Sequence, residues 1–108
     1  MAELEDERAT ELVIATEDSD GIPVISVAGQ LDISNAAALE QALARVAAAR
    51  PRALIFDLSG LEFMDSAGVS VLVRARAEVG EVRLRNPTPI VRRLIEITGL
   101  SGILPIEP

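Results

Sequence analysis

The chain has 108 residues, the size of one domain, and 49% of them are hydrophobic, enough to build a core without staples. Its formal net charge of −7 argues against a nucleic-acid partner, which needs a basic surface, and against an anionic membrane surface. There is no His, no Cys and no Lys, so the common metal sites, the His-activated and thiol nucleophiles, and Schiff-base or phosphate-loop lysines are missing, which points away from an enzyme.

Residues 1–10 are polar and mainly acidic, and they read as a flexible acidic N-terminal tail. That is the opposite of a signal peptide. No apolar run approaches the ~20 residues needed to cross a bilayer, so a cytoplasmic protein without membrane insertion is expected.

Glu11–Thr16 reads as a short strand, and Ile22–Ala28 as a second, alternating one. The turn residues between them, Glu17 to Gly21, make the pair a hairpin. Gly29–Ile33 reads as a loop, with Ser34 as a candidate N-cap for a helix over Asn35–Ala49. Leu39, Leu43 and Val46 form its apolar stripe, and Pro51 stops it. Ala53–Phe56 is a continuous apolar run ending in Asp57, the pattern of a central strand, and Leu58–Met64 reads as the loop after it.

A helix is expected from Ser66 to Val79, with Val69, Leu72, Val73 and Val79 inward and Gly80 closing it. Val82 and Leu84 alternate with Arg83 and Arg85 in a further strand. Asn86-Pro87 turns the chain, Thr88 caps and Pro89 opens a third helix. Ile90, Val91, Leu94, Ile95 and Thr98 line one side of that helix, and Gly99 ends it. Ile103–Ile106 can add an edge segment, limited by its proline. The expected fold class is α/β: a small mixed β-sheet of four to five strands packed against three to four helices, in a single domain over residues 11–108.

The informative segment is the turn Met64-Asp65-Ser66-Ala67-Gly68. Two readings of Ser66 stand side by side. A serine at a helix start is commonly an N-cap. Gly68 is harder to assign to capping, because glycine inside a helix costs up to ~1 kcal/mol relative to alanine; it can leave the helix start bare for another surface. A phosphate on Ser66 would add roughly two negative charges beside Asp65, with no arginine close in sequence to pair with it. Modification would then repel a docked partner. A phosphate-accepting Asp57, as in receiver domains, lacks its companion lysine and enough βα units. Asp57 and Asn86 read as strand-end and turn residues, and Arg74, Arg76, Arg83, Arg85, Arg92 and Arg93 as solvated faces.

These residues resemble a family, the STAS domains, and among them the bacterial anti-sigma factor antagonists. The likeness covers about residues 11–104. It rests on Gly29-Gln30-Leu31-Asp32, Asp57-Leu58-Ser59-Gly60, Phe63-Met64-Asp65-Ser66-Ala67-Gly68, Leu84-Arg85-Asn86-Pro87 and Leu94-Ile95-Glu96-Ile97-Thr98-Gly99-Leu100, taken in their order and spacing. The resemblance implies partner switching. The unmodified domain binds an anti-sigma factor that is also a serine kinase, and this frees a sigma factor. Phosphorylation at Ser66 breaks the complex, and a serine phosphatase restores it. Asp32 matches an acidic residue that helps contact the kinase. Met64, Asp65, Ser66, Ala67 and Gly68 form the rest of the expected partner surface, with no metal or cofactor. The family often carries a second serine where this chain has Ala67, which leaves Ser66 as the one acceptor in the turn. The alternative is a STAS scaffold subunit of a lipid-transport or stress-signalling complex, using the same surface without phosphorylation.

Overall fold

Turn chemistry sets the first hairpin. In the computed structural model, which describes residues 11–108, β1 (Val13–Ser19) and β2 (Ile22–Leu31) pair antiparallel with Ser19 opposite Ile22. The two residues between them, Asp20 and Gly21, both have positive φ, 54° and 83°. That is the requirement of the tight turn whose twist matches the strands. The Asp18 carboxylate accepts the Gly21 N–H at 3.1 Å. The acidic tail expected over residues 1–10 lies outside the described residues.

The remaining elements are α1 (Ala36–Ala48), β3 (Leu54–Met64), α2 (Ser66–Val79), β4 (Val82–Arg85) and α3 (Pro89–Ile97). The four strands lie in the order β1-β2-β3-β4, with β2, β3 and β4 parallel. Ile106 adds a parallel bridge to Leu84, in which Pro105 contributes its carbonyl, accepting the Leu84 N–H at 2.8 Å. Arg85 Nε donates to Glu107 Oε1 at 2.8 Å, which raises the guanidinium pKa and ties this segment to β4. The expected mixed sheet with helices is therefore the fold.

One sheet face carries Ile25, Val27, Leu31, Leu54, Phe56, Leu58, Leu61, Met64, Val82 and Leu84, and it meets Leu39 and Leu43 of α1, Val71, Leu72 and Ala75 of α2, and Val91 and Ile95 of α3. On the other face Ser26 stands opposite Asp57, and Ala28 opposite Gly60.

Several local expectations are corrected. Leu58–Met64 is not a loop: it is the second half of β3, paired with an extension of β2 through Leu31. The register shifts twice, so the inward residues Phe56, Leu58, Leu61 and Met64 are spaced two, three and three apart. Bulges of this kind erase the period-two signature of a strand. Gly60 permits the pairing, since a Cβ there would stand 2.8 Å from the Ala28 Cβ. Asp57 consequently lies in mid-strand, not at a strand end, with its Oδ1 accepting the Ser59 N–H at 3.0 Å.

Ser34 does not cap α1, and the cap position falls to Asn35. Thr88 stands at the N-cap of α3, but its hydroxyl bonds elsewhere: Oγ1 donates to the Leu61 carbonyl at 2.9 Å. In α2 the buried positions are Gly68, Val71, Leu72 and Ala75, while Val69, Val73 and Val79 are partly buried at the margin. Ile90, expected inward, is 65% exposed, and Thr98 is exposed with its hydroxyl on the Leu94 and Ile95 carbonyls. The inward pair of α3 is Val91 and Ile95, four residues apart on one face.

Candidate functional site

The parallel pairing of β2 with β3 determines which segments meet. Leu31 stands beside Met64, so the chain leaves both strands at the same end of the sheet, and the loop after β2 meets the start of α2 at Asp65. The Asp65 N–H continues the ladder, donating to the Leu31 carbonyl at 3.1 Å.

Asp65 is the N-cap of α2. Its Oδ1 accepts the Ala67 N–H at 2.9 Å and the Gly68 N–H at 3.4 Å, and its Oδ2 accepts the Ile33 N–H at 3.3 Å. One carboxylate thus satisfies the free donors of a helix start and holds the neighbouring loop. Ser66 is then the first helical residue, exposed, and the capping reading of its hydroxyl falls away because Asp65 performs that task. The Ser66 carbonyl accepts the Ser70 hydroxyl at 3.0 Å.

Across from it, Asp32 Oδ1 accepts both the N–H of Ser34, at 2.9 Å, and its hydroxyl, at 2.5 Å. The Ser34 hydroxyl above all, and then the Ser34 N–H, lower the Asp32 pKa from its ordinary value despite some desolvation. Asp32 is therefore ionised at neutral pH. Asn35 closes the loop: its Oδ1 accepts the Asp32 N–H and its Nδ2 donates to the Gln30 carbonyl, both at 2.9 Å.

Of the expected surface residues, Asp32 and Ser66 adjoin in sequence the two residues, Ile33 and Asp65, whose hydrogen bond joins the segments. Ala67 is half-buried against the core. Met64 and Gly68 are corrections. Met64 is 2% exposed, with its side chain in the core. Gly68 is buried too, and a Cβ there would meet Met64 Cγ at 2.6 Å and Leu31 Cδ2 at 2.7 Å. Its missing side chain makes room for Leu31 and Met64 from inside. Asn86, with φ of 52°, is the turn residue it was read as.

The sequence reading passed over Asn35 and Ile33. Asn three residues after Asp is a recognisable turn signal, but the cap assignment to Ser34 obscured it. No local signal marked Ile33, since its exposure is set by the fold.

The site is a surface. Two depressions, of about 180 Å³ beside Ser26, Asp57 and Gly60 and about 520 Å³ beside Arg83, Ile106 and Glu107, are not lined by Asp32, Asp65 or Ser66. Among the described residues no group of three His, Cys, Asp or Glu side chains is placed to hold a metal, and no helix is long and apolar enough to cross a membrane.

Comparison with known proteins agrees with this fold. The STAS domain model matches residues 13–108. The anti-sigma-F factor antagonist RsfB of Mycobacterium tuberculosis is 37% identical over 95 residues, covering 83% of this chain and 76% of that protein. The anti-sigma F factor antagonist of Lysinibacillus sphaericus is 40% identical over 86 residues, covering 72% and 71%. The crystal structure of an anti-sigma factor antagonist from Mycobacterium paratuberculosis superposes with a TM-score of 0.80 at 39% identity, over 92% of this chain and 87% of that one.

Proposed function

The chain belongs to the STAS domain family, and from that premise we propose that it is an anti-sigma factor antagonist switched by phosphorylation of Ser66. Unmodified, it binds an anti-sigma factor with serine kinase activity over the surface of Asp32, Asp65, Ser66 and Ala67, and the bound sigma factor is released. The chain accepts a phosphoryl group and catalyses nothing itself. Its place of action is the cytoplasm, where sigma factors work.

The observation that carries this reading is the exposed Ser66 at the first position of α2, with the cap already supplied by Asp65. In the transfer, Ser66 Oγ bonds to the γ-phosphorus of ATP while the bond to the β,γ-bridging oxygen breaks. ADP leaves, and the hydroxyl proton passes to a base of the kinase. A serine phosphatase reverses the state with water, releasing inorganic phosphate.

The direction of the switch follows from what surrounds Ser66. A phosphate brings roughly two negative charges. The Ala67 and Gly68 N–H groups that would stabilise it already bond to Asp65. Asp32 and Asp65 are like charges. The phosphate therefore has no donor in Ala67 or Gly68, and covering its bulk and charge with a docked partner costs a desolvation that the unmodified hydroxyl does not.

The test mixes the protein with each purified anti-sigma serine kinase of its source organism and ATP. Mass spectrometry should find phosphate on Ser66 and none on S66A, and S66D should bind the kinase at least tenfold more weakly than wild type. If Ser66 gains no phosphate and S66D binds as wild type does, the reading fails. Co-purification with transporter subunits would then favour the scaffold alternative.

A further inference from the structure

Ile33 is 83% exposed, the largest value for any large apolar side chain among the described residues. An isoleucine in water gains nothing for the fold, since only burial of apolar surface stabilises it. Its loop is nevertheless tightly held. The N–H groups of Asn35 and Ala36 donate to the Asp32 carbonyl at 3.1 and 2.9 Å, and Asn35 clasps the backbone on both sides of Leu31. The Ile33 N–H itself is bonded to Asp65, one residue from Ser66. The chain thus spends a closed set of hydrogen bonds on presenting one apolar side chain to solvent beside Ser66.

We propose that Ile33 is the apolar anchor with which this chain docks on its partner, the anti-sigma kinase, seated in an aliphatic pocket whose rim carries a cation facing Asp32. This rests on the function proposed above. Three observations select that occupant. A kinase that docks at Ser66 approaches the Ile33 loop as well, because the Asp65 carboxylate bonds the N–H groups of both Ile33 and Ala67. The carboxylates of its loop, Asp32 and the Asp65 that accepts its N–H, ask for a cationic rim. The anchor's backbone is ordered before binding, so little entropy is lost when it seats, which is the property of an interface hot spot.

The experiment measures the affinity of the purified kinase for wild type, I33A, I33L, D32N and S66D by calorimetry at low and high salt. Thermal melting of each variant checks the fold. I33A should melt as wild type does and bind about 10- to 100-fold more weakly, the range of a hot-spot truncation. I33L should recover most of that loss, and the loss should persist at high salt because it is apolar. The deficit of D32N should shrink with salt, as an electrostatic contact does. If I33A binds within twofold of wild type while S66D does not bind, the anchor is wrong and the proposed function stands. If wild type binds none of the kinases, both fall.

Discussion

At the scale of single residues, Gly68 separates what a motif says from what a structure requires. Glycine in the first turn of α2 invites a functional reading, yet its missing side chain is filled by Leu31 and Met64. Substitution by alanine improves helix propensity by up to ~1 kcal/mol but forces a methyl group into a packed core, which costs about 1–3 kcal/mol. G68A is expected to be net destabilised by about 1–2 kcal/mol, read as a lower urea midpoint with an unchanged slope. An unchanged midpoint would mean that α2 lifts freely from the sheet. Ser66 was legible as a candidate because it is a serine in a helix-start pattern. That its hydroxyl is not needed as a cap was not legible, because Asp65 and Ser66 are both competent caps and only the backbone angles choose between them. Ile33 was similarly silent: exposure of one apolar residue depends on what surrounds it in space.

At the scale of elements, α2 could be bounded at both ends from its cap and its closing glycine, since both signals are local. The inward face was less legible, because Ala75 and Gly68 are too small to mark a stripe although both are buried. β3 was half seen. Its first part reads as a buried strand, whereas Ser59-Gly60 reads as a turn and the residues after it lose alternation through the two register shifts. The end of β3 is also where α3 is fastened. Thr88 Oγ1 reaches the Leu61 carbonyl at 2.9 Å, 27 residues away in sequence. T88V keeps the shape and removes the donor to a partly buried carbonyl, a cost of about 1 kcal/mol. For a domain of this size, that should lower the melting temperature by roughly 4–8 °C. A shift below one degree would show that α3 is held by Val91 and Ile95 alone.

At the scale of the whole molecule, the charge of −7 acts on association more than on the fold. Part of the chain's basic content is spent locally, in the pairs of Arg74 with Glu40, Arg83 with Glu81 and Arg85 with Glu107. The first joins α1 to α2 on the surface, where such pairs contribute little to stability. Near Ser66, Asp32 and Asp65 carry the acidic field. Capture of a cationic partner should therefore be electrostatically steered. Raising ionic strength from about 0.05 to 0.5 M should slow wild-type association with the kinase by an order of magnitude or more and change dissociation much less, as stopped-flow kinetics would show. A salt-independent on-rate would place the docking surface away from this acidic end of the sheet.

Composition and local pattern alone determined that this chain has a small α/β fold, that His, Cys and Lys chemistry is closed to it, and that the turn of Asp65 and Ser66 is the candidate site. These are properties of residue types and near neighbours, and they survive without a fold. Tertiary structure decided which residues reach the surface. Only the parallel registration of β2 with β3 brings Asp32 and Ile33 to Asp65, more than thirty positions along the chain. Only packing sends Met64 and Gly68 inward while it leaves Ser66 exposed. Contacts between distant segments depend on register and burial, which are settled by the assembled sheet and helices together, and no stretch of this sequence carries that information by itself.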